Sequence, residues 1–439
     1  MKRSTIIPVL LLSVLCHTSD ARAWGPGHRL IRLWAVARLP EAQREFIGEQ
    51  HLARLCSEYT SLQDRHAGGN APELDPYCVV PGVQLSLHDV NPAEPSARAS
   101  VWFLEQVIER LRSGDMGEAM KYLGVLCHWH EDPGCPSAHC SPVREDALKI
   151  LLPPPPEKAN LNYLYGYGGI ADTGTYRIAD VDYRPRLLGV TVEEAALRMY
   201  QHQRLLERRA AAHIIPIVQD TVYGDGAKAQ RHRAEAALDN AKHIADLIYT
   251  VVCLARDTID PADAQRWRRQ RLTEWLPDAR WTMIGHPYYV TPFLVDQAMD
   301  AQRRLHPLAF PGEGDGSRVE FGYGMGAPHS LEFTLAPGGI FDRFTCRVGL
   351  HSTAAPGGEV AFAIAANGSE LYRTGPIRSG QPPESIDVVL PEADVLELSL
   401  QVHPSDPADS MRNLTVWAEP TLHRRGTACS APAPANEAD

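Results

Sequence analysis

The stretch CHWHEDPGCPSAHC, residues 127–140, gathers side chains that hold metal ions. His128 and Asp132 are four apart, so on a helix they share a face, and Pro133 stops that helix. One imidazole and one carboxylate on a helical face suit zinc. His139 follows in the loop. His130 points to another side and reads as an ordinary polar helix residue. Taken alone, a His-x-x-x-Asp pair is common and reads first as a hydrogen-bonded polar helix end.

Two further stretches add ligand types. GNAPELDPYCVVPGVQLSLHDV supplies Glu73, Asp75 and His88, which in isolation read as an acidic turn and a strand-end histidine. ARAWGPGHRL places Trp24 after a small-x-small cleavage pattern and His28 four residues later. A free α-amino group has a pKa of about 7.7–8. Cleavage before Trp24 would thus expose an amine that loses its proton readily and binds zinc together with its own carbonyl oxygen. Gly25-Pro26-Gly27 permits a tight path that lays this end beside His28.

The beginning of the chain supports that cut. Lys2 and Arg3, the apolar run Ile6 to Leu15 and Ala21-Arg22-Ala23 have the layout of a signal peptide, residues 1–23. The apolar run is too short to span a bilayer. The mature chain is expected to start at Trp24 and to be secreted or periplasmic. Net charge is −11, and losing Lys2, Arg3, Arg22 and Asp20 brings it near −13. There is no basic footprint for duplex nucleic acid. A phosphate substrate held through bound cations stays open, because the ions reverse the local field. Eight cysteines remain after cleavage, and in an oxidising compartment Cys56–Cys78 and Cys135–Cys140 are the expected disulfides.

Two regimes must position these residues. From about 28 to 255, apolar residues recur at three and four, as in SVWFLEQVIERLRSG, GEAMKYLGVLCHWHED and AEAALDNAKHIADLIYTVVCLA, which predicts helices. Long Pro- and Gly-rich connectors, 67–97, 133–160 and 164–190, separate them. From Val319 the period changes to two, and Asn367-Gly368 marks a hairpin. The expected organisation is an all-α domain at 24–285, a linker at 286–317, an all-β sandwich at 318–425 and a disordered tail at 426–439.

Read in order, WGPGH, APELD, Leu87-His88, His128-x-x-x-Asp132 and His139 resemble the zinc-dependent phospholipase C family, whose superfamily also holds the fungal single-strand-specific nucleases. The resemblance implies an all-helical domain with zinc ions in a cleft. One zinc would take Glu73 or Asp75, with His88, His128 and Asp132. A second would take the Trp24 amino and carbonyl groups, His28 and a bridging Asp132. A third would begin with His139 and be completed by a later helical pair. The nearest pair is His202 with Glu207, five apart rather than the usual four, and His213 is a further option. Two to three zinc ions are therefore expected.

GAPHSLEFTL, FDRFTCRVGL, GGEVAFAIAANGSELYRTG and LTVWAEPTL, within 316–425, resemble NPCBM-type carbohydrate-binding modules. The Asp-His pair usual before the closing tryptophan is absent here, where Leu414-Thr415-Val416 precede Trp417, so glycan binding and a spacer role both stay open. Trp417 is expected in the core.

The favoured expectation is a secreted zinc-dependent phosphodiesterase, a phospholipase C acting on a glycerophospholipid headgroup. Glu73 or Asp75 would orient or deprotonate the attacking water. Peripheral contact with a membrane and a glycan partner for the β domain fit this reading. A single-strand-specific nuclease or nucleotide phosphatase on the same scaffold is the alternative. A glycan-binding surface protein with a degenerate enzyme domain is another.

Overall fold

The apolar spacing of three and four in the first half of the chain rolls it into ten helices among the described residues. These are α1 (Gly27–Val36), α2 (Glu41–Ile47), α3 (Glu49–Leu55), α4 (Leu62–Ala67), α5 (Asp75–Cys78), α6 (Ala93–Ser113), α7 (Met116–Glu131), α8 (Val192–Tyr223), α9 (Ala227–Arg256) and α10 (Pro261–Arg266). The computed structural model describes residues 24–136, 176–278, 293–300, 302–312, 317–406 and 412–426.

Helix α7 is the axis of this part. Asp115 caps its start by accepting a hydrogen bond from the Glu118 amide at 3.3 Å. From Tyr122 to Glu131 every residue is buried. A helix enclosed on all sides carries its polar residues into the interior, so His128, His130, Glu131 and then Asp132 are all sequestered. Pro133 cannot continue the α-helical ladder, and a single 3-10 turn, Asp132–Gly134, follows. Around α7 lies one apolar core that includes Trp24, Ile31, Leu55, Phe103, Leu126, Trp129, Ile244 and Val251. The long helices α8 and α9 pack on each other and close this core. Thr191 starts α8 by accepting from the Glu194 amide at 3.2 Å.

The period-two segments form two antiparallel sheets. The first runs in the order 384–389, 341–350, 414–424, 322–326 and 294–295, and 269–271 also pairs with 414–424. The second runs 377–378, 359–366, 396–404 and 329–335, and 369–373 pairs with 359–366. Their inner faces share one apolar core, the arrangement of a β-sandwich. Trp417 is fully buried there, as expected; its indole donates to His329 Nε2 at 3.1 Å and meets the Phe362 ring edge-on. The chain is thus helical first and β-sandwich second, as the change of period predicts.

Part of the span expected as a linker is built into the β region instead. Leu294–Val295 pairs with Tyr323–Gly324, and Gln297–Met299 forms a two-stranded ladder with Leu305–Pro307. Ala298, Leu308 and Phe310 bury their apolar surface against Leu414 and Val416, which gives this stretch a reason to fold. The two regions also touch: Leu197 of α8 joins the sandwich core, and Arg424 forms an ion pair with Glu194.

The Cys56–Cys78 disulfide does not form; both are separate buried thiols. Cys56 sits in the field of Arg32 and Glu131, whereas Cys78 sits beside Asp75, so the fold carries them to different surroundings. Cys140, the expected partner of Cys135, lies outside the described residues, as do His139, residues 1–23 and the chain from 427 onward. No helix among the described residues is long and apolar enough to cross a membrane.

Candidate metal centre

The last turn of α7 delivers two adjacent carboxylates, Glu131 and Asp132, into a dry interior. Both are fully buried. Asp132 faces three imidazoles: Oδ2 lies 2.7 Å from His88 Nδ1 and 3.3 Å from His128 Nε2, and Oδ1 lies 3.4 Å from His28 Nε2. The His28 and His128 rings stack with centroids 4.1 Å apart, and His88 meets His128 edge-on at 5.4 Å. The third acid at the cluster is Asp64 of α4, with Oδ1 3.5 Å from His128 Nε2.

Each imidazole is oriented from behind. His28 Nδ1 is 2.6 Å from Glu131 Oε2, and Glu131 in turn accepts from Arg32 Nε at 2.8 Å and Arg32 Nη2 at 3.1 Å. Arg32 is itself fully buried and spends its remaining donors on the Leu55, Tyr59 and Gly124 carbonyls. His128 Nδ1 donates to the Thr60 carbonyl at 2.7 Å, which leaves Nε2 to face the two aspartates. That contact depends on Gly124, one turn before His128. A Cβ there would stand 2.7 Å from Tyr59 Cβ and 2.8 Å from Tyr59 O, so only glycine lets the 59–60 backbone approach α7 this closely. The loop that carries His88 is pinned twice. The Gln63 amide donates to the Leu87 carbonyl, and the Trp129 indole donates to the Asp89 carbonyl at 3.1 Å. Trp24 is fixed to the same helix end, since its indole donates to the Glu131 carbonyl at 2.8 Å.

The electrostatics follow from burial and pairing. Burial pulls the His28 pKa down, and His128 beside it adds to this; together they outweigh Glu131 and Asp132, so His28 is held below the ordinary imidazole range. Burial would also lower His128, but Asp132 and Asp64 prevail and hold it well above that range. Burial would raise Glu131; Arg32 and His28 instead bring it down to about 2. Asp132 is likewise held far below the usual carboxylate range, against burial, by His128, His88 and His28.

The donor set fits a cation. His28 Nδ1 points at Glu131, so Nε2 of the neutral ring presents a lone pair to Asp132 Oδ1. Neither atom has a hydrogen-bond partner, and both are buried. Two buried acceptors facing each other are costly unless a positive centre lies between them. The donor atoms of His28, His128 and Asp132 lie within 4.8 Å of one another, and those of Asp64, His88 and His128 form a second such group. Imidazole nitrogens with carboxylate oxygens are zinc ligands.

The structure therefore brings together His28, His88, His128 and Asp132, with Trp24 held to the same helix end by its indole, but not Glu73 or Asp75. Glu73 is exposed and lies 3.6 Å from Arg65, while Asp75 is exposed and lies 2.8 Å from His66. The carboxylate beside His128 is Asp64, because α4 tucks Leu62 and Gln63 into the core and turns Asp64 inward with them. A buried apolar–amide pair just ahead of an aspartate was the available signal. Glu131 and Arg32 had a weaker one, an acid directly before Asp132 and an arginine one turn after His28.

His202 and Glu207 are not joined. Five residues put them about 140° apart around α8. The His202 ring packs against His243 at 5.5 Å, and His243 Nε2 is 3.1 Å from His130 Nδ1. Burial, then Arg198, lowers His202 to about 4, while burial raises Glu207 to about 7.

Residues 273–423 match the NPCBM/NEW2 domain family. The M60 catalytic domain with the CBM51-1 and CBM51-2 domains of Clostridium perfringens ZmpB is similar to 36% of this chain at 18% identity and a TM-score of 0.29. The chain spans 15% of the length of that structure. CBM51 from Clostridium perfringens GH95, in complex with methyl-galactose, is 17% identical, with 35% of this chain and 99% of that one covered and a TM-score of 0.28. The alpha toxin of Clostridium absonum is 11% identical over 92% of this chain and 95% of that one, with a TM-score of 0.33. No curated protein matches the chain.

Proposed function

We propose that the helical domain is a zinc-dependent hydrolase of phosphoric ester bonds, of the phospholipase C type, and that the mature chain begins at Trp24. The observation that carries this is the buried Asp132 carboxylate facing His28, His88 and His128 while Asp132 Oδ1 and His28 Nε2 lack hydrogen-bond partners. The ordered resemblance from WGPGH to His139 supports the same reading.

In this proposal Asp64, His88, His128 and Asp132 would hold one zinc, and His28, Asp132 and the Trp24 terminus would hold another. Bound zinc supplies a water of lowered pKa and positive charge for phosphoryl oxygens. The chain's own residues do the rest. Glu131 accepts a hydrogen bond from His28 Nδ1 and fixes that ring, and the Thr60 carbonyl does the same for His128. Asp132 joins the two ligand groups. Asp64, less enclosed than Asp132, stands where it can also orient an attacking water. The enclosing core excludes bulk solvent, which strengthens each of these interactions.

A membrane lipid is the favoured substrate class, with the NPCBM/NEW2 domain contributing contact with a glycan. Nuclease or nucleotide phosphatase activity is the second reading, favoured by the short spacing from Trp24 to His28. The test is a panel of phosphatidylcholine, single-stranded DNA and nucleoside monophosphates, run on protein beginning at Trp24 with and without zinc. Zinc-dependent release of phosphocholine supports the proposal. Cleavage of DNA or nucleotides alone moves the assignment to the second reading. No zinc-dependent hydrolysis of any of them defeats both.

A further inference from the structure

A second group of metal-ligand atoms lies away from the Asp132 cluster, on the outer surface of the helix pair α8 and α9. His213 of α8 faces His232 and Glu235 of α9. The two histidines are 19 residues apart in sequence, on opposite sides of the turn through Gly224 and Gly226. Their Nδ1 atoms are 2.9 Å apart. Glu235 Oε2 is 3.7 Å from His232 Nδ1 and 3.9 Å from His213 Nδ1.

The separations themselves are informative. A circle through three points so spaced has a radius of about 2.1 Å, which is the length of a zinc–nitrogen or zinc–oxygen bond. A single point can therefore stand at bonding distance from all three atoms. A hydrogen bond between the imidazoles accounts for the short edge, but not for a carboxylate oxygen placed nearly equidistant from both nitrogens. Between the imidazoles only one Nδ1 can donate to the other, and the carboxylate stands beyond hydrogen-bond reach of either nitrogen. The side chains are 19%, 32% and 64% exposed for His213, His232 and Glu235, so an ion has a path in and a water can complete its coordination.

We propose that His213, His232 and Glu235 form a zinc site that clips α8 to α9, separate from the Asp132 centre. Two imidazoles and one carboxylate favour zinc over the hard cations calcium and magnesium, which select oxygen ligands. The clip has a mechanical use. Pro216, three residues beyond His213, removes a backbone donor from the interior of α8. A metal bond to α9 would hold the outer end of α8 in place at that weak point.

The experiment is zinc addition to the full chain beginning at Trp24 after chelator stripping, with bound zinc counted by native mass spectrometry. Wild type is compared with His213→Ala, His232→Ala and Asp132→Asn, each checked for helix content by circular dichroism. The expected result is one zinc fewer in each histidine variant than in wild type. Asp132→Asn should keep the clip ion, and zinc should raise its melting temperature, an increase that is lost when His213→Ala is added. An unchanged zinc count in folded His213→Ala and His232→Ala overturns the proposal. So does loss of every zinc in folded Asp132→Asn. Because that variant is read separately, failure of the clip and failure of the Asp132 centre are distinguishable.

Discussion

Glu131 Oε2 lies 2.6 Å from His28 Nδ1, with both side chains closed off from solvent and the Arg32 guanidinium on the other side of the carboxylate. The pair links the first helix of the domain to its central one across 103 residues. It also decides which nitrogen of His28 faces Asp132.

Replacing Glu131 by Ala should therefore do two things. It strands Arg32 as a buried charge, and breaking one side of such a pair costs about 3–5 kcal/mol. It also frees the His28 ring, and loss of a partner behind a metal-ligating histidine lowers metal affinity about 10–100-fold. Urea unfolding and zinc titration measure the two effects. Glu131→Gln keeps the shape and some hydrogen bonding, so it should lose less of both.

Asp64 and Asp75 give a direct contrast between neighbouring acids. Asp64 faces His128 at 3.5 Å, whereas Asp75 is exposed beside His66. Asp64→Asn should lower zinc content and hydrolysis, while Asp75→Asn and Glu73→Gln leave both near wild type. Equal losses for Asp64→Asn and Asp75→Asn would remove Asp64 from the site.

Asp132→Asn should harm the centre more than His28→Ala. Asp132 belongs to the contacts of three imidazoles, and its loss withdraws anionic charge from both proposed ions. Zinc counting on the two variants checks the order. Two tightly bound zincs in addition to any ion at His213, with near-normal turnover, in Asp132→Asn would contradict the assignment.

The terminal amine supplies a further test. One extra alanine before Trp24 turns the amine into an amide, which has no lone pair to give a metal. The extended chain should bind less zinc and hydrolyse substrate far more slowly than the chain that starts at Trp24. The same assay on both, side by side, is sufficient.

Stability should depend on pH through Asp246. Burial raises its carboxyl to about 7, although the Arg186 amide and the Tyr183 hydroxyl both donate to it. An unfolded aspartate has a pKa of about 3.9. Between these values the folded state holds a proton that the unfolded state has released, so stability falls as pH rises. The contribution is complete below about pH 4 and lost by pH 7 to 8. Asp246→Asn, which imitates the protonated acid, should flatten that slope in denaturation curves measured between pH 5 and 8.

The sequence by itself determined the two architectural halves. A period of three and four cannot be satisfied in a sheet, nor a period of two in a helix, so the change near Val319 was legible. His128 and Asp132 were legible as well, because four residues on a helix fix a shared face whatever surrounds it. Trp24, His28 and His88 could be named only as an ordered set, since the distances between them span loops. The tertiary structure decided what those loops did. It set Asp64, rather than Glu73 or Asp75, beside His128, because burial of Leu62 and Gln63 turns Asp64 inward, a matter of packing between α4 and α7 that no local spacing encodes. It set His202 against His243 and His130 rather than against Glu207, because the pitch of α8 separates a five-residue pair. It drew part of the expected linker into the β region through backbone pairing that sequence alone does not reveal. Long-range partners, such as Arg32 for Glu131 or Thr60 for His128, exist only once the chain has folded back on itself.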